Sequence, residues 1–113
     1  MVGGNIMGIP EREVDIAGTL RVIEQLKSQM LMDVAQLFSD LNEPNGNANV
    51  ERGDLLADIV ILSYLLSKKL GIGHQQIDRR IINKTRLGLV ESNSSDRWHK
   101  ELSELLKHFE SLE

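Results

Sequence analysis

Between Leu55 and Leu66 the chain runs LLADIVILSYLL, with Asp58 as its one charge. Wound as a helix, Leu55, Leu56, Ile59, Val60, Ile61, Leu62, Tyr64, Leu65 and Leu66 point in nearly every direction. Such a rod has to be covered by its own domain, by a partner subunit, or by both. An ionised carboxylate buried there without a partner is costly, so Asp58 is expected to be neutralised, bound to a cation, or turned to a wet cavity. The helix should run from about Glu51 to Leu70 and stop at Gly71, a left-handed cap after the basic pair Lys68 and Lys69.

The other segments show helical periodicity as well. From about Val14 to Leu41, the residues Ile16, Leu20, Ile23, Met30, Val34, Leu37 and Leu41 recur at steps of three, four or seven. Leu31 and Phe38 widen the stripe into one long amphipathic helix, straight or kinked. The stretch NEPNGNANVERG that follows has the composition of a surface turn. A third helix, roughly His74 to Arg86, would bury Ile77, Ile81 and Ile82 and expose Arg79, Arg80 and Lys84. After a loop LGLVESNSS, Ser95 can cap a fourth helix striped by Trp98, Leu102, Leu105, Leu106, Phe109 and Leu112, with Trp98 read as core. Residues 1–10, MVGGNIMGIP, read as a flexible tail, leaving 11–113 as a single helical domain. The expected fold class is all-α, a four-helix bundle. The apolar excess of the second helix further predicts a homo-oligomer, dimer or tetramer.

Composition removes several function classes. With 113 residues, 41% hydrophobic and 27% charged, the chain has the make-up of one soluble domain. A net charge of -4 and only one Trp, one Tyr and two Phe argue against nucleic-acid binding, which needs a basic surface or a stacking platform. The absence of cysteine excludes disulfides and thiolate metal sites and is compatible with a reducing compartment. Met1 to Pro10 lacks the basic start and apolar block of a secretory leader, and no apolar run is long enough for a membrane span, so a cytoplasmic location and no membrane partner are expected. His74, His99 and His108 lack zinc-site spacing, and the GIG at Gly71 follows a helix where a phosphate loop follows a strand.

The chemistry that remains belongs to carboxylates. Glu51, Asp54 and Asp58 form an acidic strip on the apolar rod, and Gln29, Asp33, Gln36 and Asp40 line up beside the stripe of the first helix. Two facing helices that present carboxylates a turn apart make an oxygen-only site, which suits Mg²⁺ and, through it, a triphosphate. The plainer readings are a solvated helix edge for the first-helix set and a side-chain partner for Asp58. Likewise Lys84 and Arg86 fit phosphate contacts or a charge-balanced helix face.

The stretch GDLLADIVILSYLLSKKLGI resembles the second helical motif of the MazG-like all-α nucleoside triphosphate pyrophosphohydrolases, in which a Glu-x-x-Asp pair precedes an apolar helix and a Lys/Arg-Leu-Gly-Ile ending. LMDVAQLFSDL resembles the first motif, and INKTRLGL the basic segment that follows. The resemblance covers about Leu20 to Leu89, and RWHKELSELLKHFE is similar to the tail of a small MazG-like branch. It implies hydrolysis of a nucleoside triphosphate to monophosphate and pyrophosphate, with Mg²⁺ or Mn²⁺ as cofactor. Asp33 and Asp58 would be the catalytic acids, with Gln36 and Asp54 completing the metal set and Lys84 and Arg86 on the phosphates. Three family acids are replaced by neutral residues: Leu55 stands for the Glu of the second motif, and Met32 and Gln36 stand in the first. Two carboxylates suffice for one weakly held Mg²⁺, so the competing expectation is a non-catalytic nucleotide-sensing or protein-interaction module on the same fold.

Overall fold

The computed structural model describes residues 11–43, 48–92 and 97–112, with side chains at 15–43, 51–92 and 97–112. Most of these residues lie in four helices and no strand occurs among them: α1 Glu11–Leu41, α2 Ala48–Lys69, α3 His74–Glu91 and α4 Arg97–Ser111. The chain is all-α. None of these helices is long and apolar enough to cross a membrane. The expected tail at 1–10 and the Ser95 cap lie outside the described residues.

Contacts sort the chain into two compact units, one ending at Gly71 and one beginning at Ile72. Each is a helical hairpin, and each is described by itself. In the first hairpin, α1 continues unbroken for 31 residues. Its sheltered residues include Thr19, Ile23, Leu26, Met30, Asp33, Leu37 and Asp40, with Val22 and Val34 beside them, and those of α2 include Arg52, Leu55, Ile59, Leu62 and Leu66. The named residues advance by alternating steps of three and four, the spacing of a coiled-coil seam. Two acids and one arginine therefore sit where a seam ordinarily places aliphatics. Arg52 meets Asp40 across the helices, with Nε donating to Oδ2 at 2.8 Å and Nη2 to the Asp40 carbonyl at 3.1 Å.

The hairpin leaves much of α2 uncovered: Leu56, Val60, Ile61 and Leu65 are all exposed. Asp58 is exposed too, so the acid that packing has buried is Asp33 of α1, at 6% exposure. The sequence premise of a sunken Asp58 is thus corrected. A helix apolar on every side puts one stripe in a two-helix seam, and Asp58 lies on the flank of that seam. At the far end, Gly71 has φ +83° and its N–H bonds the Lys68 carbonyl at 3.1 Å, the cap that the sequence predicts.

The second hairpin departs from expectation at the end of α3. The stretch LGLVE, expected as loop, is helical through Glu91. Gly88 is tolerated because it faces the partner helix: a Cβ there would lie 3.0 Å from Leu102 Cδ1. Ser92 ends the helix by bonding back to the Gly88 carbonyl at 2.9 Å, and its hydroxyl pairs with His99 Nδ1 of α4 at 2.7 Å. Likewise α2 begins at Ala48, inside the stretch read as turn. Trp98, expected in the core, is 65% exposed, because the inward line of α4 runs through Leu102, Leu106 and Phe109.

Candidate metal and phosphate site

Asp33 is held at the middle of the α1 seam by the same three-four spacing that buries Leu37 one turn later. One turn earlier, Gln29 Nε2 donates to Asp33 Oδ1 at 2.9 Å, a contact that the i, i+4 spacing makes on any regular helix. The other oxygen, Oδ2, has almost no solvent contact and no hydrogen-bond partner. A buried carboxylate oxygen in that state costs free energy unless something positive or protic reaches it.

Across the hairpin, Asp58 comes to the same place. Gln29, Asp33, Asp58, Ile61 and Leu62 line one pocket of about 260 Å³. That space falls below the ~300–1,000 Å³ of a typical small-molecule pocket and suits a hydrated cation with a phosphate group better than a whole nucleotide. Two carboxylates and an amide oxygen are hard donors, which is the donor chemistry of Mg²⁺ or Mn²⁺. The fit is to an ion that keeps several waters: among the described residues no group of three or more His, Cys, Asp or Glu is placed to hold a metal.

The remaining expected site residues are distributed differently. Gln36 and Asp54 are exposed, on the flanks of α1 and α2 that also carry Gln29 and Asp58. Asp40, aligned with Asp33 in sequence, is taken by Arg52. Leu55, at the place of the family's Glu, is half-buried in the seam. Lys84 and Arg86 belong to α3 in the second hairpin. They are two positions apart, about 200° round the helix, so they face different sides. Arg86 Nη2 meets Glu110 Oε2 of α4 at 2.8 Å, an exposed pair that fits the charge-balanced reading.

In the sequence Gln29 stands only as one of four polar residues on a helix edge, although its i, i+4 spacing to Asp33 is the signal that singles it out.

A family model described as the MazG-like family matches residues 16–102, most of the chain. The chain belongs to the MazG-like family. The match takes in both acids of the pocket, Gln29, and the basic residues of α3. No curated protein and no solved structure matches the chain. Membership in the MazG-like family brings a fold of the nucleoside triphosphate pyrophosphohydrolase type, and the four helices agree with it.

Proposed function

We propose that this MazG-like protein is a Mg²⁺-dependent nucleoside triphosphate pyrophosphohydrolase with a reduced acidic site. It adds water to a nucleoside triphosphate to give the monophosphate and pyrophosphate. The observation that carries the reading is the unpartnered, buried Oδ2 of Asp33 in a pocket shared with Asp58. When bound, the metal ion (Mg²⁺ or Mn²⁺) neutralises phosphate charge and lowers the pKa of a coordinated water.

The chain's own residues have narrower tasks. Asp33 and Asp58 are the acids assigned to the ion, and Asp58, which is exposed, is also assigned the proton of the attacking water. Gln29 fixes the Asp33 carboxylate through Oδ1 and leaves Oδ2 for the ion. Gln36 and Asp54 are assigned to outer contacts with ion-bound water. Lys84 and Arg86 face different sides of α3 and take no joint phosphate role here; Arg86 keeps its exposed carboxylate partner, Glu110. The working protein is a cytoplasmic homo-oligomer.

One observation favours a second reading. Without a third clustered acid among the described residues, the fold also suits a module that binds nucleotide or a protein partner and does not turn over. Incubation with each nucleoside triphosphate and Mg²⁺ or Mn²⁺, with pyrophosphate measured, separates the two. The hydrolase reading expects release that Asp58→Ala abolishes. No release from the parent protein with any nucleotide, together with a gain in Leu55→Glu, which restores a family acid, favours the second reading and defeats the first.

A further inference from the structure

The walls of the acid pocket come from the middle of two helices: Gln29 and Asp33 of α1, and Asp58, Ile61 and Leu62 of α2. Mid-helix placement decides what such a wall can offer a ligand. Backbone N–H and C=O groups there are consumed by the helical ladder, so only side chains remain. Of these, Gln29 commits its amide to holding Asp33 Oδ1 at 2.9 Å, and Ile61 and Leu62 carry no hydrogen-bonding atom. What is left is two carboxylates, with Oδ2 of Asp33 buried and unpartnered, beside the Gln29 amide oxygen. Those oxygens suit a hydrated divalent ion and, through it, phosphate oxygens. A nucleobase is held by a stacking plane or by donors and acceptors matched to its edge, and the lining residues supply neither. Phe38 and Tyr64, the aromatic side chains described in the first hairpin, are turned away from the pocket by helical phase.

We propose that this pocket recognises a cation-bearing triphosphate chain with no contribution from the nucleoside, and that inorganic triphosphate is hydrolysed there to orthophosphate and pyrophosphate. The proposal rests on the hydrolase reading above and narrows it to a substrate class. Remote parts of a substrate speed a reaction only through binding energy that the protein collects from them, so removing a nucleoside that makes no contact takes nothing from the rate. The leaving group is pyrophosphate in both reactions, and orthophosphate takes the place of the nucleoside monophosphate. The oxygen of water bonds to a terminal phosphorus as the bond from that phosphorus to its bridging oxygen breaks, and pyrophosphate departs with the bridging oxygen. One proton of the water stays on orthophosphate; the other is taken by Asp58 and passed to pyrophosphate.

The test uses the full chain with Mg²⁺ or Mn²⁺ and includes an arm that needs no turnover. In calorimetry, bis-methylene triphosphate and α,β-methylene ATP, whose carbon bridges resist hydrolysis at the scissile position, should bind with dissociation constants within about threefold of each other, and adenosine should give no heat. In the kinetic arm, inorganic triphosphate should be cleaved with kcat/KM within about tenfold of the nucleoside triphosphates, which should differ from one another by less than about threefold. Asp33→Asn should lower both activities in the same proportion, which separates them from a contaminating phosphatase. Hydrolysis of nucleoside triphosphates with inorganic triphosphate left intact overturns the proposal and leaves the hydrolase reading standing. A preference for one base of more than about tenfold in binding does the same. No binding of either analogue and no cleavage of either substrate overturns both.

Discussion

Asp33 Oδ2 sits in the α1 seam with neither solvent nor a hydrogen bond. In the absence of a divalent ion that placement works against folding, and the sign of a substitution follows. Asp33→Leu fills the seam with the kind of residue found at neighbouring positions, so it should stabilise the ion-free protein by about 1–3 kcal/mol, read as a higher thermal midpoint in chelator. The same change should remove ion binding. Gln29→Leu keeps the volume and removes the 2.9 Å contact that orients Asp33, so affinity for Mn²⁺ should fall by roughly 10-fold or more while the fold persists. A Gln29→Leu protein with parental affinity shows that the amide orients nothing. Asp33 itself was legible in the sequence as an acid inside QMLMDVAQLF. Its burial was not, because period alone does not say which of two adjacent stripes on a broad apolar helix meets the neighbour.

At the level of elements, the helix count and type could be read from periodicity, and the end of α2 at the Gly71 cap from glycine after two lysines. Gly71→Ala tests that cap: a side chain at φ +83° should cost about 1 kcal/mol of stability, with Gly71→Asn costing less. The boundaries were less legible where composition and packing disagree. LGLVE reads as loop because it holds a glycine, yet that glycine is what lets α3 approach Leu102 and remain helical. The place of Asp40 in the α1–α2 seam is not legible in the sequence either. Its pairing with Arg52 spans twelve positions and cannot be seen from either helix alone. This pair is only about a quarter exposed, so Asp40→Ala should destabilise the first hairpin by about 1–2 kcal/mol, and Arg52→Ala by a similar amount. A double variant no worse than either single one, measured by denaturant unfolding, would confirm that the two act as a unit.

For the whole molecule, the all-α class and the family are shared ground between sequence and structure. The apolar excess of α2 was visible in the sequence and is visible again as exposed Leu56, Val60, Ile61 and Leu65. If two copies share a core, the thermal midpoint should rise with protein concentration, and a midpoint flat over a hundredfold range contradicts the dimer. The account as a whole stands on the pairing of Asp33 with Asp58 around one cation. The most direct measurement is a Mn²⁺ titration followed by electron paramagnetic resonance on the parent chain, Asp33→Asn and Asp58→Asn. One saturable site in the parent, weakened at least tenfold in each variant, is the predicted result; no site in the parent, or a site that both variants keep, contradicts it.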